Sequence, residues 1–147
     1  MIRIAQAKDK DSIVRMLGDY RMSSPLEFHK TTSLDHAGKI VDAVLLGAGI
    51  CFIAEDSKGI FGMLLAIKNP NVWNPEVMAL HELAYWVDPD MRGGSAGYKL
   101  LKTYADYAKD LKDKGAITYY TVSKMVTSPD LDYSRFGFSK LEEMWRA

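Results

Sequence analysis

In 147 residues, 19 Lys and Arg balance 19 Asp and Glu. That balance argues against a chain whose main work is gripping a nucleic-acid backbone, and the length suits one ordinary core, so one domain over 1–147 is expected. The lone cysteine, Cys51, rules out an intrachain disulfide, as in a reduced, intracellular protein, and no apolar stretch approaches the roughly 18 residues of a membrane span.

The start has neither signal- nor transit-peptide character, so a cytoplasmic location is expected, with no membrane or nucleic-acid partner. Ile2 to Ala7 alternates apolar and polar residues and predicts a first strand. After Asp9, the spacing of Ile13, Val14, Leu17 and Tyr20 predicts a helix. A loop over 23–33 follows, holding Pro25 and several hydroxyl residues. Ser33 then caps a second helix that buries Ala37, Ile40, Val41, Val44 and Leu45 and ends at Gly47 and Gly49. The runs "ICFIAED" and "GIFGMLLAIKNP", joined by Ser57-Lys58-Gly59, predict a hairpin.

A proline-punctuated loop spans 69–77, and "MALHELAYWVDP" is a fourth strand stopped by Pro89. A long helix starts near Ser95, buries Leu100, Leu101, Tyr104, Ala108 and Leu111, and ends at Gly115 with Lys112 and Lys114 near its negative end. "AITYYTVS" predicts a fifth strand. A short helix opens at Ser128-Pro129-Asp130 and ends at Phe136-Gly137, and a last strand runs over 138–147. This order predicts an α+β fold with a mostly antiparallel sheet flanked by helices. Its strand-helix-strand segment, 78–123, is the place for a parallel pair.

The turn Arg92-Gly93-Gly94-Ser95-Ala96-Gly97 stands where a strand hands over to a helix. It lacks the Gly-Lys-Ser/Thr of a P-loop and the position of a dinucleotide fingerprint. Two readings remain open from these residues. One is a tight turn using glycine for its backbone angles. The other is an anion site, with unpaired N–H groups at a helix start, small side chains that admit phosphate oxygens, and Arg92 as a permanent cation.

The stretch "VDPDMRGGSAGYKLL" resembles the acyl-CoA signature R/Q-x-x-G-x-G/A of the GNAT N-acetyltransferase superfamily. Arg92 and Gly97 match its outer positions, and Ser95 stands where glycine is usual. A second landmark, aromatic-x-x-x-Gly-Phe, matches Tyr133 through Phe138. The resemblance covers nearly the whole chain and implies a splayed parallel pair between the fourth and fifth strands. It also implies acetyl-CoA as co-substrate, its pyrophosphate on residues 92–97 and its pantetheine arm against the backbone of Trp86 and Val87. The asparagine usual seven residues before the tyrosine is replaced by Val126. Many members have another strand after the Gly-Phe element, and its absence would leave a sheet edge that a second subunit could cover, so a homodimer stays open.

Acetyl transfer to an amine needs a base for the amine, donors for the oxyanion and a proton for the departing thiolate. The resemblance places Glu82 as general base and Tyr133 as general acid. Alternation puts Glu82 on the face of Ala84 and Trp86, with the structural or surface residue His81 opposite. A solvent-facing glutamate and a core tyrosine are the alternatives. No cluster has metal-ligand spacing, so no metal is expected. With a single cysteine, direct attack is favoured over a covalent acetyl-enzyme. The expected activity is acetyl-CoA-dependent N-acetylation of a small-molecule, peptide or protein amine. A non-catalytic acyl-CoA-binding module of the same fold is the alternative. The acceptor is expected against loops 23–33 and 69–77, where Glu27, His29, Lys30 and Glu76 give no dominant charge.

Overall fold

The computed structural model describes residues 1–31 and 33–147; position 32, in the loop expected over 23–33, lies outside them. Strand β1 (Ile2–Ile4) leads into α1 (Lys10–Met22) and α2 (Leu34–Ala43). Strands β2 (Gly49–Asp56), β3 (Gly59–Pro70) and β4 (Met78–Val87) follow, then α3 (Ala96–Asp113) and β5 (Tyr119–Thr121). The sheet order is β1-β2-β3-β4-β5, antiparallel throughout except for the parallel β4/β5 pair.

Each element has a local cause. At the head of α2, the Ser33 side chain accepts from His36 N, and the π-turn Val44–Ala48 closes on Gly47 at a positive φ of 109°. Before α1, buried Asp9 receives Gln6 N at 2.7 Å and Arg3 Nη1 at 2.8 Å, and the guanidinium holds its carboxyl below the ordinary aspartate value. Arg3 also reaches Glu55 at 2.7 Å, tying β1 to β2 and to the start of α1.

Alternation along β3 builds a two-sided core. Met63 and Leu65 pack with Ile13, Met16, Val41 and Val44 under α1 and α2. Leu64 and Ala66 pack with Leu80, Leu100, Leu101 and Tyr104 under α3. Cys51 lies in the first cluster at 2% exposure, and burial pushes its thiol up to about 12.

The structure corrects the sequence reading at four places. The strand expected over 138–147 is not formed; residues 139–147 are exposed and without regular structure. Leu141, Met144 and Trp145 point to solvent, and Arg146 Nη1 donates to the Pro25 carbonyl at 3.1 Å. A homodimer through that strand therefore has no strand to use. The expected helix from Ser128 contracts to a 3-10 turn, Tyr133–Phe136, and β5 keeps only Tyr119–Thr121 of its expected run.

The fourth correction concerns β4. The register passes from Leu65↔Ala84 to Ala66↔Glu82, leaving Leu83 as the extra residue of a bulge. Leu80 and Ala84, which strict alternation puts on one face, fall in opposite clusters. Glu82 pairs with Ala66 of the α3 side, so it does not share the face of Ala84 and Trp86.

Gly49 opens β2 where the chains approach most closely: a Cβ there would stand 1.9 Å from the Ala66 carbonyl oxygen. Gly49→Ala should therefore force the β2–β3 ladder apart at a cost of about 1–3 kcal/mol. Chemical denaturation should show a lower midpoint with an unchanged slope; an unchanged midpoint would mean that the ladder yields without cost.

Candidate active site

The β4/β5 ladder ends at His81↔Thr121, and the strands then part. The next donor on the β5 side, Ser123 N–H, bonds Glu82 Oε2 at 2.9 Å, and Ser123 Oγ donates to the same oxygen at 2.7 Å. A side-chain carboxylate thus stands where a strand carbonyl would otherwise continue the ladder. Glu82 is only 7% exposed. Burial raises its pKa above the ordinary glutamate value, against the opposing pull of the Ser123 hydrogen bonds. Its Oε1 has no partner among the described residues, where no side-chain oxygen or nitrogen is both buried and unsatisfied, so Oε1 opens to the cleft.

Tyr133, on the 3-10 turn, donates its phenol proton to the Ser123 carbonyl at 2.9 Å. Glu82 and Tyr133 therefore meet at two ends of one residue. Burial, and secondarily the Glu82 charge, raises the Tyr133 phenol above its ordinary value, while the Lys124 ammonium lies 4.5 Å from its ring centroid. Tyr20, from the C-terminal turn of α1, completes this wall, its phenol pushed up to about 12 by burial first and Glu82 second.

At the other end of the same cleft is the 92–97 turn. Arg92 Nε donates to the Val87 carbonyl at 2.8 Å, and its guanidinium lies 4.5 Å from the Trp86 ring centroid. Trp86 Nε1 donates to Asp88 Oδ1 at 3.0 Å, and Asp88 is gripped by Arg15 of α1 at 3.1 Å. The terminal nitrogens of Arg92 make no hydrogen bond among the described residues. Gly93 has a φ of 92°, which favours glycine, whereas a Cβ on Gly94 would meet nothing closer than Met91 O at 3.9 Å. Ser95 makes no side-chain cap on α3, so its side chain leaves the first amides of that helix uncovered, and Ala96 begins the helix itself. Tyr85 donates its phenol proton to the Gly97 carbonyl, tying β4 to the first turn of α3.

The cleft thus gathers Glu82, Trp86, Val87, Arg92, Gly93, Gly94, Gly97 and Tyr133 from the sequence reading, while Ser95 and Ala96 adjoin it as the head of α3. The carbonyl of Trp86 faces β3, 3.2 Å from an ideal Gly62 Cβ, whereas that of Val87 faces away toward Arg92. Val126 is 91% exposed and is not among the lining residues. His81 bonds Thr121 Oγ1 at 2.7 Å through Nδ1, in line with a structural histidine. Sequence reasoning missed Tyr20, Tyr85 and Ser123 as cleft residues. The one available signal was the position of Tyr85 and Ser123 on the two strands expected to splay.

The Acetyltransferase (GNAT) family matches residues 14–138. The chain belongs to that family, and its mixed sheet with a parallel β4/β5 pair is a GNAT-like fold. Solved structures repeat the fold at low identity. One is an acetyltransferase of Trypanosoma brucei, with 19% identity, 100% of this chain and 97% of that one covered, and a TM-score of 0.68. A GCN5-related N-acetyltransferase of Ralstonia eutropha JMP134 shows 17% identity, coverage of 100% and 97%, and a TM-score of 0.72. A predicted acetyltransferase of Clostridium acetobutylicum, solved with acetyl-CoA, shows 14% identity, coverage of 100% and 94%, and a TM-score of 0.69. No curated protein matches the chain by sequence.

The raised Glu82 pKa has a signed consequence for stability. The fold favours the protonated form, so this contribution is complete below the ordinary glutamate value and is lost as pH rises through the folded value. Glu82→Gln keeps an acceptor for Ser123 N–H and removes the buried charge. Thermal melts should place this variant above the parent by a few degrees near about pH 8, with the gap closing toward about pH 4. An offset constant with pH would show that the charge is not what differs.

Proposed function

We propose that the chain is an acetyl-CoA-dependent N-acetyltransferase that acetylates a primary amine by direct attack. The observation that carries this reading is the joining, in one cleft, of a helix start without a side-chain cap, and an arginine whose terminal nitrogens make no hydrogen bond among the described residues, to an acid-base pair held on Ser123. The fit to acetyl-CoA rests on three features of the turn. The first α3 amides lack a side-chain cap, Gly94 leaves its surroundings open, and Arg92 is aimed by Val87 and Trp86 while its terminal nitrogens stay free. Residues 92–97 would hold the pyrophosphate, and the gap beyond His81↔Thr121 would take the pantetheine arm along Val87. The family relative solved with acetyl-CoA supports the same co-substrate.

When bound, acetyl-CoA supplies an activated acyl thioester. The amine nitrogen attacks its carbonyl carbon, and the C–S bond breaks with its electron pair left on sulfur. Glu82 Oε1, facing the cleft, takes the amine proton directly or through one water. Its raised pKa suits a base working nearer neutrality than an ordinary glutamate. A backbone amide of β4 would polarise the carbonyl oxygen. The Tyr133 phenol gives its proton, or a strong hydrogen bond, to the departing sulfur. The burial that raises the phenol raises a thiol in the same place, so the two remain matched in direction.

Acetyl-CoA should raise the melting temperature, because it binds the folded state alone. Gly94→Glu, placed where a side chain meets no neighbour, should fold normally and abolish that rise by putting bulk and negative charge at the phosphate position. An undiminished rise in this variant would remove the turn from the cofactor site.

Tyr133→Phe keeps the ring and deletes the donor to Ser123. Its kcat should fall by roughly 10²–10⁴ with acetyl-CoA affinity held, as measured by product mass spectrometry on an amine panel and by CoA titration. Turnover at the parent rate would make the tyrosine a packing residue. Thermal stabilisation by acetyl-CoA without any acetylated product would identify a binding module in place of an enzyme.

A further inference from the structure

The 92–97 turn is preceded by two acids. Asp88 and Asp90 lie within four residues of Arg92, the cation assigned above to phosphate. A carboxylate competes directly with a phosphate for an arginine, because both accept two parallel N–H bonds from one guanidinium. An Arg92 already paired with either acid would have to give up that pair before it could bind an anion. Yet Arg92 forms no ion pair among the described residues, and its side-chain hydrogen bond, from Nε, goes to the Val87 carbonyl. Asp90 stands exposed on the 3-10 turn Pro89–Met91.

Asp88 is held by a different cation. Arg15 Nη1 donates to Asp88 Oδ1 at 3.1 Å and Arg15 Nη2 to Asp88 Oδ2 at 3.2 Å, so both oxygens are engaged. Arg15 is fixed in turn by the Asp19 carboxylate at 3.1 Å and the Ile60 carbonyl at 3.3 Å. Trp86 Nε1 adds a further donor to Asp88 Oδ1 at 3.0 Å, while Arg92 lies 4.5 Å from the centroid of the same ring. The indole therefore carries the acid at its edge and the guanidinium over its face, with one ring between the two charges. The Arg15–Asp88 pair keeps 46% and 21% of its side-chain exposure, and ion pairs so placed add little to stability. What the pair does is decide where the Asp88 charge is spent.

We propose that Arg15 serves the cofactor site at a distance: it sequesters Asp88 and so keeps the terminal nitrogens of Arg92 available to a phosphate. Arg15 is a positioning residue, because it acts from α1 through Asp88. The inference rests on the reading of 92–97 as the pyrophosphate site. Without Arg15, both Asp88 oxygens lose their fixed partner beside the indole that carries Arg92, and the nearest cation for them to turn to is that guanidinium. Pairing within the turn then opposes anion binding. Neutralising Asp88 as well removes the competitor, so the second substitution should undo the harm of the first.

Calorimetric titration with acetyl-CoA tests this without an acceptor or turnover. Arg15→Met should raise the Kd by about tenfold, and the double variant Arg15→Met/Asp88→Asn should return to within about twofold of the parent. Asp88→Asn alone should bind no more weakly than the parent. In an Arg92→Met background, Arg15→Met should have no further effect, since the cation it protects is gone. Damage to packing would deepen with the second substitution, so recovery of affinity separates sequestration from a structural fault. An Arg92→Met variant that binds like the parent would overturn the phosphate reading of the turn, and this inference with it. Weak binding by Arg92→Met beside parent-like binding by Arg15→Met would overturn the sequestration alone. A double variant no tighter than Arg15→Met would do the same and leave the turn as the cofactor site.

Discussion

The structure turns on the place where one side chain ends a ladder. Parallel strands β4 and β5 pair for a few residues and would continue to pair if Ser123 N–H met a β4 carbonyl. It meets the Glu82 carboxylate instead. The amide is satisfied, so the opened strand carries no orphaned donor, and the splay is a stable conformation. The bulge at Leu83 makes this arrangement possible, because the extra residue releases Glu82 from the face of Ala84 and Trp86. The raised carboxyl pKa follows from the same placement, since the group that props the strands apart is also the group withdrawn from water.

From that point the two ends of β4 are held by different partners. Toward its C-terminus, Arg15, Asp88, Trp86 and Arg92 form a relay from α1 to the turn, so the guanidinium is already aimed. Tyr85 ties the strand to the first turn of α3 through the Gly97 carbonyl. A pre-positioned cation loses less side-chain entropy on meeting an anion than a free one would. Toward the N-terminus, the strand meets β5 through His81 and Thr121 and then enters the asparagine-braced loop.

Much of this was legible because local chemistry and tertiary structure agree. Ser33 caps α2 as its residue type predicts, and Gly93, Gly115 and Gly137 take the positive φ that a turn, a helix stop and a 3-10 end require. The apolar periods of α1 and α3 match the faces they bury. The last strand was not legible for a physical reason. Phe138, Leu141 and Met144 recur at threes, so no period of two supports an extended half-buried strand, and no neighbouring edge fixes it. The bulge at Leu83 has no residue signature, so alternation assigned Glu82 to the wrong face. Tyr20 and Ser123 reach the cleft from distant segments, and neither carries a motif that announces the meeting.

The lone thiol gives the fold a clock. Cys51 sits near the start of β2 inside the α1/α2 cluster, and its raised pKa keeps it protonated as well as enclosed. A soluble thiol reagent needs both access and thiolate, and neither is available while β2 remains between β1 and β3. The rate at which this atom is alkylated therefore counts openings of the central sheet and ignores fraying of the exposed C-terminal residues. The one cysteine thus separates slow breathing of the scaffold from the faster adjustments of a cleft that must admit substrate.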